Sequence, residues 1–208
     1  MPKVKLSKLI TMVFFGIFEY ILGNICAILL YRKKYIGGKY FRGSRLGFLK
    51  IGWGWAISDF NARLWLKINR GVPFPISPRN HINNPHNIYF DSDDLLIFQG
   101  QGKYFQAVDA PIYIGKGCYI ADNVGVITTN HNVNELEKHD KGKEIIIGEK
   151  SWIGMNSMIL PGVKLGKKTI VGAGSVVTKS FPQGHCIIAG NPAKIIKSIE
   201  EGEEDENI

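Results

Sequence analysis

An aliphatic residue returns at every sixth position over the C-terminal part of the chain, and this period constrains the fold more than any other feature. The residues that share it are Ile147, Ile153, Ile159, Leu165, Val171 and Val177. A period of six matches neither the turn of an α-helix, about 3.6 residues, nor the alternation of strands in hairpins. It is typical of very short strands joined by corners, with one aliphatic side chain per strand pointing inward. Stacked coils of this kind bury a continuous aliphatic column.

Glycines and a second aliphatic run extend the pattern. Glycine directly follows the repeat residue at Gly148, Gly154, Gly166 and Gly172, where it relieves crowding at a bend. The same phase recurs upstream at Val108, Ile114, Ile120 and Val126, with a fainter trace through Ile76, Ile82, Ile88 and, after a register shift, Leu96. An antiparallel sandwich would instead show turn clusters about every 8–12 residues. The sequence therefore predicts a mainly β chain wound as a parallel β-helix.

Two stretches carry a resemblance to a known family, DAPIYIGKGCYIADNVGVITTNHNV and IIIGEKSWIGMNSMILPGVKLGKKTIVGAGSVVTKSFPQGHCIIAGNPAKIIK. They resemble the hexapeptide-repeat acetyltransferases that have a left-handed parallel β-helix. The similarity is greatest to the maltose and galactoside acetyltransferase group and to surface-polysaccharide O-acetyltransferases. The resemblance covers residues 74–198. It implies acetyl-CoA as the acyl donor, a homotrimer, and active sites in the clefts between subunits.

A polar segment interrupts the repeat, and we expect residues 127–146 to leave the coil as a loop. Rigid solenoids place function on such loops. Acetyl transfer from a thioester to a hydroxyl needs a base for the hydroxyl proton, and neutral imidazole suits that task. The resemblance places the family's catalytic histidine at His131 in TTNH. His139 lies among charges and is predicted to be a solvated loop residue.

The resemblance also assigns substrate contacts. On the acceptor side it indicates Asp109, Gln101, where close sugar acetyltransferases have Asn, and Trp152 at the border of the cleft. On the donor side it indicates acetyl-CoA contacts at Met155, Ala173, Thr178, Lys179, Lys194 and Lys197. Structural roles stay open for several of them: a corner cap for Asp109, trimer packing for Trp152, and ordinary surface charge for the lysines. The backbone N–H of Met155 is a candidate oxyanion donor, and no metal-ligand set is evident.

An almost wholly apolar run spans residues 9–31, between two groups of basic residues. As a helix it would rise roughly 35 Å, enough to cross a bilayer core. A cleaved signal peptide fits poorly, because the run is too long and lacks a small-residue cleavage site. A spanning helix would have to accommodate Glu19 and Asn24, whereas a helix in the membrane face would bind anionic lipid through its cationic flanks. Packing on the protein itself or on a sister subunit is the remaining alternative.

We favour membrane association for this segment. If the helix spans, the distribution of Lys and Arg keeps the main domain on the cytoplasmic side of the membrane; if it packs within the oligomer, the protein is cytoplasmic. Residues 1–70 hold 13 of the 26 basic residues and only Glu19 and Asp59 as acids. Because this charge flanks the apolar run, it indicates a membrane rather than nucleic acid. Three scattered cysteines favour a reducing compartment over a disulfide framework.

The predicted organisation follows from these patterns. It comprises a basic-flanked hydrophobic helix in residues 1–35, an aromatic and basic linking segment in 36–73, the β-helix acyltransferase domain in 74–198 and an acidic tail in 199–208. A neighbouring membrane suits a lipid-linked or polymeric saccharide acceptor, as in surface polysaccharide synthesis.

The mechanism that fits this organisation is direct transfer assisted by His131. An acetyl-enzyme is disfavoured, because Cys118 lies within a repeat rung and no Cys or Ser partners the loop histidine. Two alternatives stay open. One is a non-catalytic solenoid that acts as a membrane-bound scaffold. The other is a metal lyase like the γ-class carbonic anhydrases, for which the spacing of the histidines looks wrong.

Overall fold

The computed structural model describes residues 6–42 and 47–199. They form two compact units that divide between Pro78 and Arg79, and we call them the N-terminal unit and the C-terminal unit. Several residues of the sequence argument lie outside the described ranges: Lys3 and Lys5 of the first basic flank, Arg45, and the acidic residues from Glu200 onward.

The C-terminal unit consists of short strands joined by corners. The strands are β1 (His81–Ile82), β2 (Ile88–Tyr89), β3 (Tyr104–Gln106), β4 (Ile112–Ile114), β5 (Tyr119–Ile120), β6 (Gly125–Ile127), β7 (Ile145–Ile147), β8 (Trp152–Ile153), β9 (Met158–Ile159), β10 (Lys164–Leu165), β11 (Thr169–Val171), β12 (Val176–Val177), β13 (Cys186–Gly190) and β14 (Ala193–Ser198).

Within the described residues, these strands form three sheets that the chain visits in turn. Sheet A has the order β1-β3-β6-β9-β12, sheet B the order β2-β4-β7-β10, and sheet C the order β5-β8-β11-β13-β14. Neighbouring strands are parallel in every pair except β13 with β14, which is antiparallel. The predicted left-handed parallel β-helix is confirmed, and an antiparallel strand ends its last coil.

The repeat residues form the interior of the coil. All six members of the C-terminal run are at most 2% exposed, and the register stacks them directly, with Val126 paired to Ile159 and Ile159 to Val177. The glycine that follows a repeat residue sits at a tight corner. A Cβ added at Gly148 would lie 2.4 Å from the backbone carbon of Gly166 in the next coil. The column therefore depends both on the inward aliphatic residue and on the glycine that follows it.

Two residues of the upstream phase are not in the column. Val108 is 46% exposed and Leu96 is 45% exposed. Nine residues separate the paired inward positions Phe105 and Ile114, whereas six separate their partners Ile159 and Leu165 in a later coil. The corner at residues 107–111 is therefore enlarged and carries Val108 outward. Leu96 lies in a 3₁₀ segment, Ser92–Phe98, whose inward residues include Leu95 and Phe98.

The N-terminal unit contains two α-helices, α1 (Leu6–Leu30) and α2 (Gly52–Asn61), and a π-helical turn, Ala62–Leu66, continues α2. The helix predicted over residues 9–31 is thus present. The α1 helix packs on α2 through small residues, since a Cβ added at Gly23 would lie 2.7 Å from the Cβ of Trp53. Ring contacts of Trp53 with Tyr20 and Phe41 fill the space around it.

A buried polar cluster lies at the C-terminal end of α1. The Tyr31 hydroxyl donates to Asp59 Oδ2 at 2.7 Å. The Arg63 guanidinium donates to both Asp59 oxygens, at 2.9 and 2.7 Å, and to the Val72 carbonyl at 2.7 Å. Asp59 is 0% exposed and Arg63 is 5% exposed. Burial raises the pKa of Asp59, and two guanidinium hydrogen bonds offset this effect in part.

Candidate active site

The polar loop leaves the coil between sheets A and B, because strand β6 ends at Ile127 and strand β7 begins at Ile145. A side chain from the preceding coil fixes its start. Gln106 Oε1 accepts hydrogen bonds from the backbone N–H groups of Thr128 and Thr129, both at 3.1 Å. The N–H of Lys143 donates to the Thr128 carbonyl at 2.8 Å and closes the loop. Sequence reasoning did not identify Gln106, since a glutamine at a strand end carries no distinctive signal.

Within the loop, residues 130–140 form a small hairpin. Two antiparallel backbone hydrogen bonds hold it, from Asn132 N–H to the Lys138 carbonyl and from Asp140 N–H to the Asn130 carbonyl, each at 2.9 Å. The Asn132 side chain stabilises the turn by accepting from the N–H of Asn134 at 2.9 Å. A conformation of this kind gives the loop a fixed shape.

The hairpin places two imidazoles side by side. His131 and His139 form an antiparallel bridge, and their ring centroids are 4.3 Å apart. Residues directly opposite in such a bridge project from the same face. His139 is exposed, as predicted, but its contact with His131 is not visible in the sequence, because the two residues meet only when the hairpin forms.

One ring nitrogen of His131 makes a hydrogen bond within the loop. Its Nδ1 lies 2.7 Å from the carbonyl oxygen of Leu136. A carbonyl oxygen only accepts, so the neutral ring carries its proton on Nδ1 in this contact. The Nε2 atom then holds a free lone pair and is able to accept a proton from a substrate. The arrangement has the chemistry of a general base on an exposed loop.

Several predicted site residues lie near this loop, on the edge between sheets A and B. Asp109 is exposed in the enlarged corner, and a Cβ added at Gly142 of the loop would lie 2.8 Å from its Cβ. Thr129 is also next to Gly142, and its Oγ1 is buried without a hydrogen-bond partner among the described residues. Thr178 and Lys179 follow strand β12 on the same edge and are exposed.

A second group lies on the edge between sheets C and A. Successive corners stack there through backbone hydrogen bonds, from Asn123 to Gln101 at 3.0 Å and from Gly174 to Met155 at 2.8 Å. Ala173 occupies the corner beside Gly174, and Gln101, Met155 and Ala173 are all exposed. The Gln101 Oε1 accepts from the Arg79 guanidinium at 3.2 Å. The predicted acceptor residue Gln101 therefore shares an edge with two predicted donor residues.

The remaining predicted residues lie on sheet C. Trp152 is 52% exposed on β8, where it pairs with Tyr119 and Ile170. Lys194 and Lys197 lie on β14, where they pair with Ala189 and Ile187 of the neighbouring strand β13. Both lysines are exposed.

The two edges lie on opposite sides of sheet A. From Met155 to the next corner at Leu160 the chain advances five residues, which corresponds to at most about 17 Å at about 3.3 Å per residue. One copy therefore presents the histidine loop along one edge, and Gln101, Met155 and Ala173 along the other. The structure places all ten predicted residues on the outside of the coil, in two edges and one sheet face.

Thiol and metal chemistry have little support in the described residues. Cys118 is 4% exposed, its thiol is 3.1 Å from the Gly148 carbonyl, and burial raises its pKa to about 11. Residues 6–42 and 47–199 contain no group of three or more His, Cys, Asp or Glu side chains placed to hold a metal ion.

The coil and its period define the class of structure. The C-terminal unit is a hexapeptide-repeat, left-handed parallel β-helix, and its residues 144–179 match the family model described as bacterial transferase hexapeptide (six repeats). The match covers the rungs from β7 to the end of β12.

Comparison with individual proteins adds a curated relative and solved structures. The chain is 47% identical over 96 residues to a putative acetyltransferase of Dictyostelium discoideum, a match that covers 45% of this chain and 48% of that protein. The chain thus spans about half the length of this relative. A maltose O-acetyltransferase from Clostridium difficile is 32% identical, with a TM-score of 0.45, over 59% of this chain and 60% of its own. A galactoside acetyltransferase in complex with coenzyme A is 29% identical, with a TM-score of 0.43, over 59% and 63%.

Proposed function

We propose that the protein is an O-acetyltransferase that moves an acetyl group from acetyl-CoA to a hydroxyl of a saccharide. The observation that carries the proposal is the state of His131, whose Nδ1 is held by the Leu136 carbonyl while Nε2 is left to accept a proton. The match of residues 144–179 to a transferase repeat and the similarity to a putative acetyltransferase support the same reaction class.

The reaction proceeds in one transfer. Nε2 of His131 takes the proton of the acceptor hydroxyl, and the oxygen forms a bond to the acetyl carbonyl carbon. The carbon–sulfur bond then breaks, and the imidazolium returns its proton to the departing thiolate, so that the products are an acetyl ester and coenzyme A. Cys118 takes no part, because a buried thiol with a pKa near 11 is neither exposed nor ionised at neutral pH.

His139 acts in this proposal as a positioning residue. Its ring packs against that of His131 and limits rotation of the base, which leaves Nε2 in one direction. An orientation error of about 1 Å is enough to cost on the order of 10²-fold in rate. We expect His139→Ala to lower kcat with little change in the KM for acetyl-CoA, and we expect His139→Phe, which keeps an aromatic ring, to recover most of the loss.

Acetyl-CoA is proposed to lie along the edge between sheets C and A. The exposed corners at Met155 and Ala173 offer backbone groups to an extended pantetheine arm, and Thr178 and Lys179, which lie on the loop edge, contact it from the neighbouring subunit. The exposed cations Lys194 and Lys197 suit its phosphates. The Met155 N–H is the proposed donor to the carbonyl oxygen as charge develops there.

A homotrimer would complete the site. The loop edge and the donor edge of one copy are separated by sheet A, so the His131 of one subunit must meet the donor edge of its neighbour. Asp109, Gln101 and Trp152 would then contact the acceptor around the cleft. Cyclic symmetry generates three identical sites of this kind.

The acceptor is proposed to be a lipid-linked or polymeric saccharide of surface polysaccharide synthesis, acetylated at the cytoplasmic face of the membrane. This part of the proposal rests on the apolar helix α1, whose segment Val13–Leu30 is long and apolar enough to cross a membrane and is mostly exposed. Such a helix would hold the enzyme where an acceptor anchored in lipid is presented.

The decisive experiment is a transfer assay with radiolabelled acetyl-CoA against a panel of lipid-linked oligosaccharides. His131→Ala should lower kcat by about 10²–10⁴-fold, the usual contribution of a general base. His86→Ala is the matched control, because this exposed histidine lies in a 3₁₀ turn outside the loop. Turnover of His131→Ala within about tenfold of the parent would rule out the proposed base.

A second measurement separates an enzyme from a scaffold. Coenzyme A at 100 times its Kd should stabilise the wild-type protein and His131→Ala alike by about 2.7 kcal/mol. No thermal shift, together with no transfer to any acceptor, would favour the scaffold.

A further inference from the structure

One face of α1 is a continuous apolar surface. Five large hydrophobic side chains recur three or four residues apart along it and are exposed, namely Phe14, Phe18, Ile21, Ile25 and Ile28, between 53% and 68%. This spacing places them on one side of the helix. We call these five residues the apolar stripe.

The π-helical turn after α2 continues this surface. Leu64, Trp65 and Leu66 are 52%, 76% and 66% exposed. Leu64 lines a pocket together with Leu30 at the end of α1, so the turn and the stripe lie close together. An exposed tryptophan beside apolar side chains is typical of residues at a membrane–water interface.

The opposite side of α1 is covered by protein from its middle onward. Tyr20 is in ring contact with Trp53, and Gly23 packs directly on the same residue. The apolar run starts at residue 9 in the sequence. Residues 9–18 of the run precede the contacts of Glu19 and Tyr20 with α2, and these ten residues rise about 15 Å, whereas a bilayer core needs about 30 Å.

Cationic residues also lie beside α2. Lys50, which is half-buried, precedes α2, and its carbonyl accepts the Trp53 N–H. Lys39 lies over the ring of Tyr40, which itself contacts Trp55. Irregular backbone and exposed cations are unfavourable in contact with lipid chains. If α1 crossed the whole bilayer, irregular backbone and cations beside α2 would have to contact the lipid chains.

The acidic residue of α1 does not face the stripe. A Cβ added at Gly54 of α2 would lie 2.4 Å from the Glu19 carboxylate, so Glu19 is directed toward α2. Asn24 is half-buried. The stripe itself contains no acidic residue, and Glu19, which a spanning helix would have to accommodate, is directed toward α2.

Exposed cations flank the apolar segments in the sequence. They are Lys8 before the stripe, Arg32, Lys33 and Lys34 after α1, and Lys67 and Arg70 after the π-helical turn. We call these six residues the basic rim. Asp59, the acid on α2, is already paired with Arg63 in the interior.

We propose that the N-terminal unit inserts into one leaflet of a bilayer that contains anionic lipid, without crossing it. The apolar stripe and Leu64–Leu66 lie in the boundary of the acyl chains, and the basic rim contacts the lipid phosphates. Charge complementarity selects a membrane over a second copy of the chain, because two copies would bring two basic rims together. This inference concerns the membrane alone and does not depend on the proposed activity.

The test uses the full-length protein and vesicles of phosphatidylcholine, with or without phosphatidylglycerol. We expect flotation with the anionic vesicles, and binding at least about tenfold weaker to neutral ones or at high salt. Phe18→Ser with Ile25→Ser should abolish flotation. Val133→Ser is the control, because this loop residue is 85% exposed outside the surface.

Depth is measured by quenching of Trp65 fluorescence, taken as the difference between the wild type and Trp65→Phe. Lipids brominated near the headgroup should quench it more strongly than lipids brominated near the bilayer centre. The reverse order would show that this turn lies near the bilayer centre and would overturn the proposal. So would equal binding to neutral vesicles, or an unchanged flotation of the stripe variant. Stripe substitutions that dissociate an oligomer in sedimentation but leave vesicle binding intact would assign the surface to a second copy of the chain.

Discussion

The two units differ in the kind of side chain that fills their interiors. In the C-terminal unit the interior is a column of mainly aliphatic side chains on successive short strands, and the buried hydroxyls of Ser157 and Ser175 bond to the Gly172 carbonyl at a corner. In the N-terminal unit a buried ion pair, Asp59 with Arg63, lies against the ring of Tyr31. A column of equivalent residues distributes stability over many similar contacts, whereas an ion pair concentrates it in two side chains.

The largest effect should follow from breaking that ion pair. Asp59→Ala leaves the Arg63 guanidinium buried without its counter-charge, and we expect a loss of about 3–5 kcal/mol of unfolding free energy. Tyr31→Phe, which removes one hydrogen bond to the same carboxylate, should cost only about 0.5–1.5 kcal/mol. Denaturant unfolding followed by tryptophan fluorescence, with Trp53 and Trp55 in this unit, measures both. Equal losses in the two variants would contradict a cluster centred on the ion pair.

A cavity in the aliphatic column should cost somewhat less. Ile153 is 0% exposed and pairs with Ile120 and Val171 in neighbouring coils. Its replacement by Ala should lower the unfolding free energy by about 2–5 kcal/mol. The control Ile196→Ala, at a residue that is 64% exposed, should change it by no more than about 0.5 kcal/mol. Denaturant titrations followed by circular dichroism would reveal a column that tolerates the cavity, which would contradict the repeat as the source of stability.

The anchor of the loop should have a smaller effect, confined to the loop. Gln106→Ala removes the acceptor for two backbone N–H groups at Thr128 and Thr129, and one such loss costs about 1–3 kcal/mol. Because the column is untouched, we expect acetyl transfer to fall while the main unfolding transition keeps its midpoint. Full activity in this variant would show that the loop holds its shape without Gln106.

The smallest effect is expected at Cys118. Its folded pKa of about 11 exceeds the ordinary thiol value, so at pH 8 the reactive thiolate fraction stays low, and it rises only as the pH approaches 11. Treatment with iodoacetamide at pH 8 should leave transfer activity unchanged. Loss of activity in proportion to alkylation of Cys118, located by mass spectrometry, would contradict direct transfer.

The same contrast explains what the sequence could predict. The coil was predictable because each inward residue obeys one period, and all six positions from Ile147 to Val177 are buried. The prediction was wrong at Val108 and Leu96, where an enlarged corner and a 3₁₀ segment break the period. The N-terminal unit has no period to follow. The contact of Asp59 with Tyr31 joins residues 28 positions apart and depends on how two helices pack.

The candidate site was predictable only in part. His131 and the proposed donor-side residues stand in motifs, so the sequence could single them out as candidates. The hairpin that stacks His139 on His131 arises from backbone pairing within a polar loop, which composition does not indicate. Gln106 acts from the previous coil, about twenty positions before the loop residues it holds. The sequence near the loop does not show which side chain of the preceding coil will lie against it.

The central claim is that the active site is shared between copies, with His131 from one subunit facing the donor edge of the next. Co-expression of His131→Ala with Ala173→Trp, which blocks that exposed edge, tests it most directly. Each variant alone should be almost inactive, and random trimers of the two should recover about one quarter of the wild-type activity, because each site needs one intact loop and one intact edge. No recovery, in a preparation where tagged subunits show that mixed trimers form, would contradict the shared site.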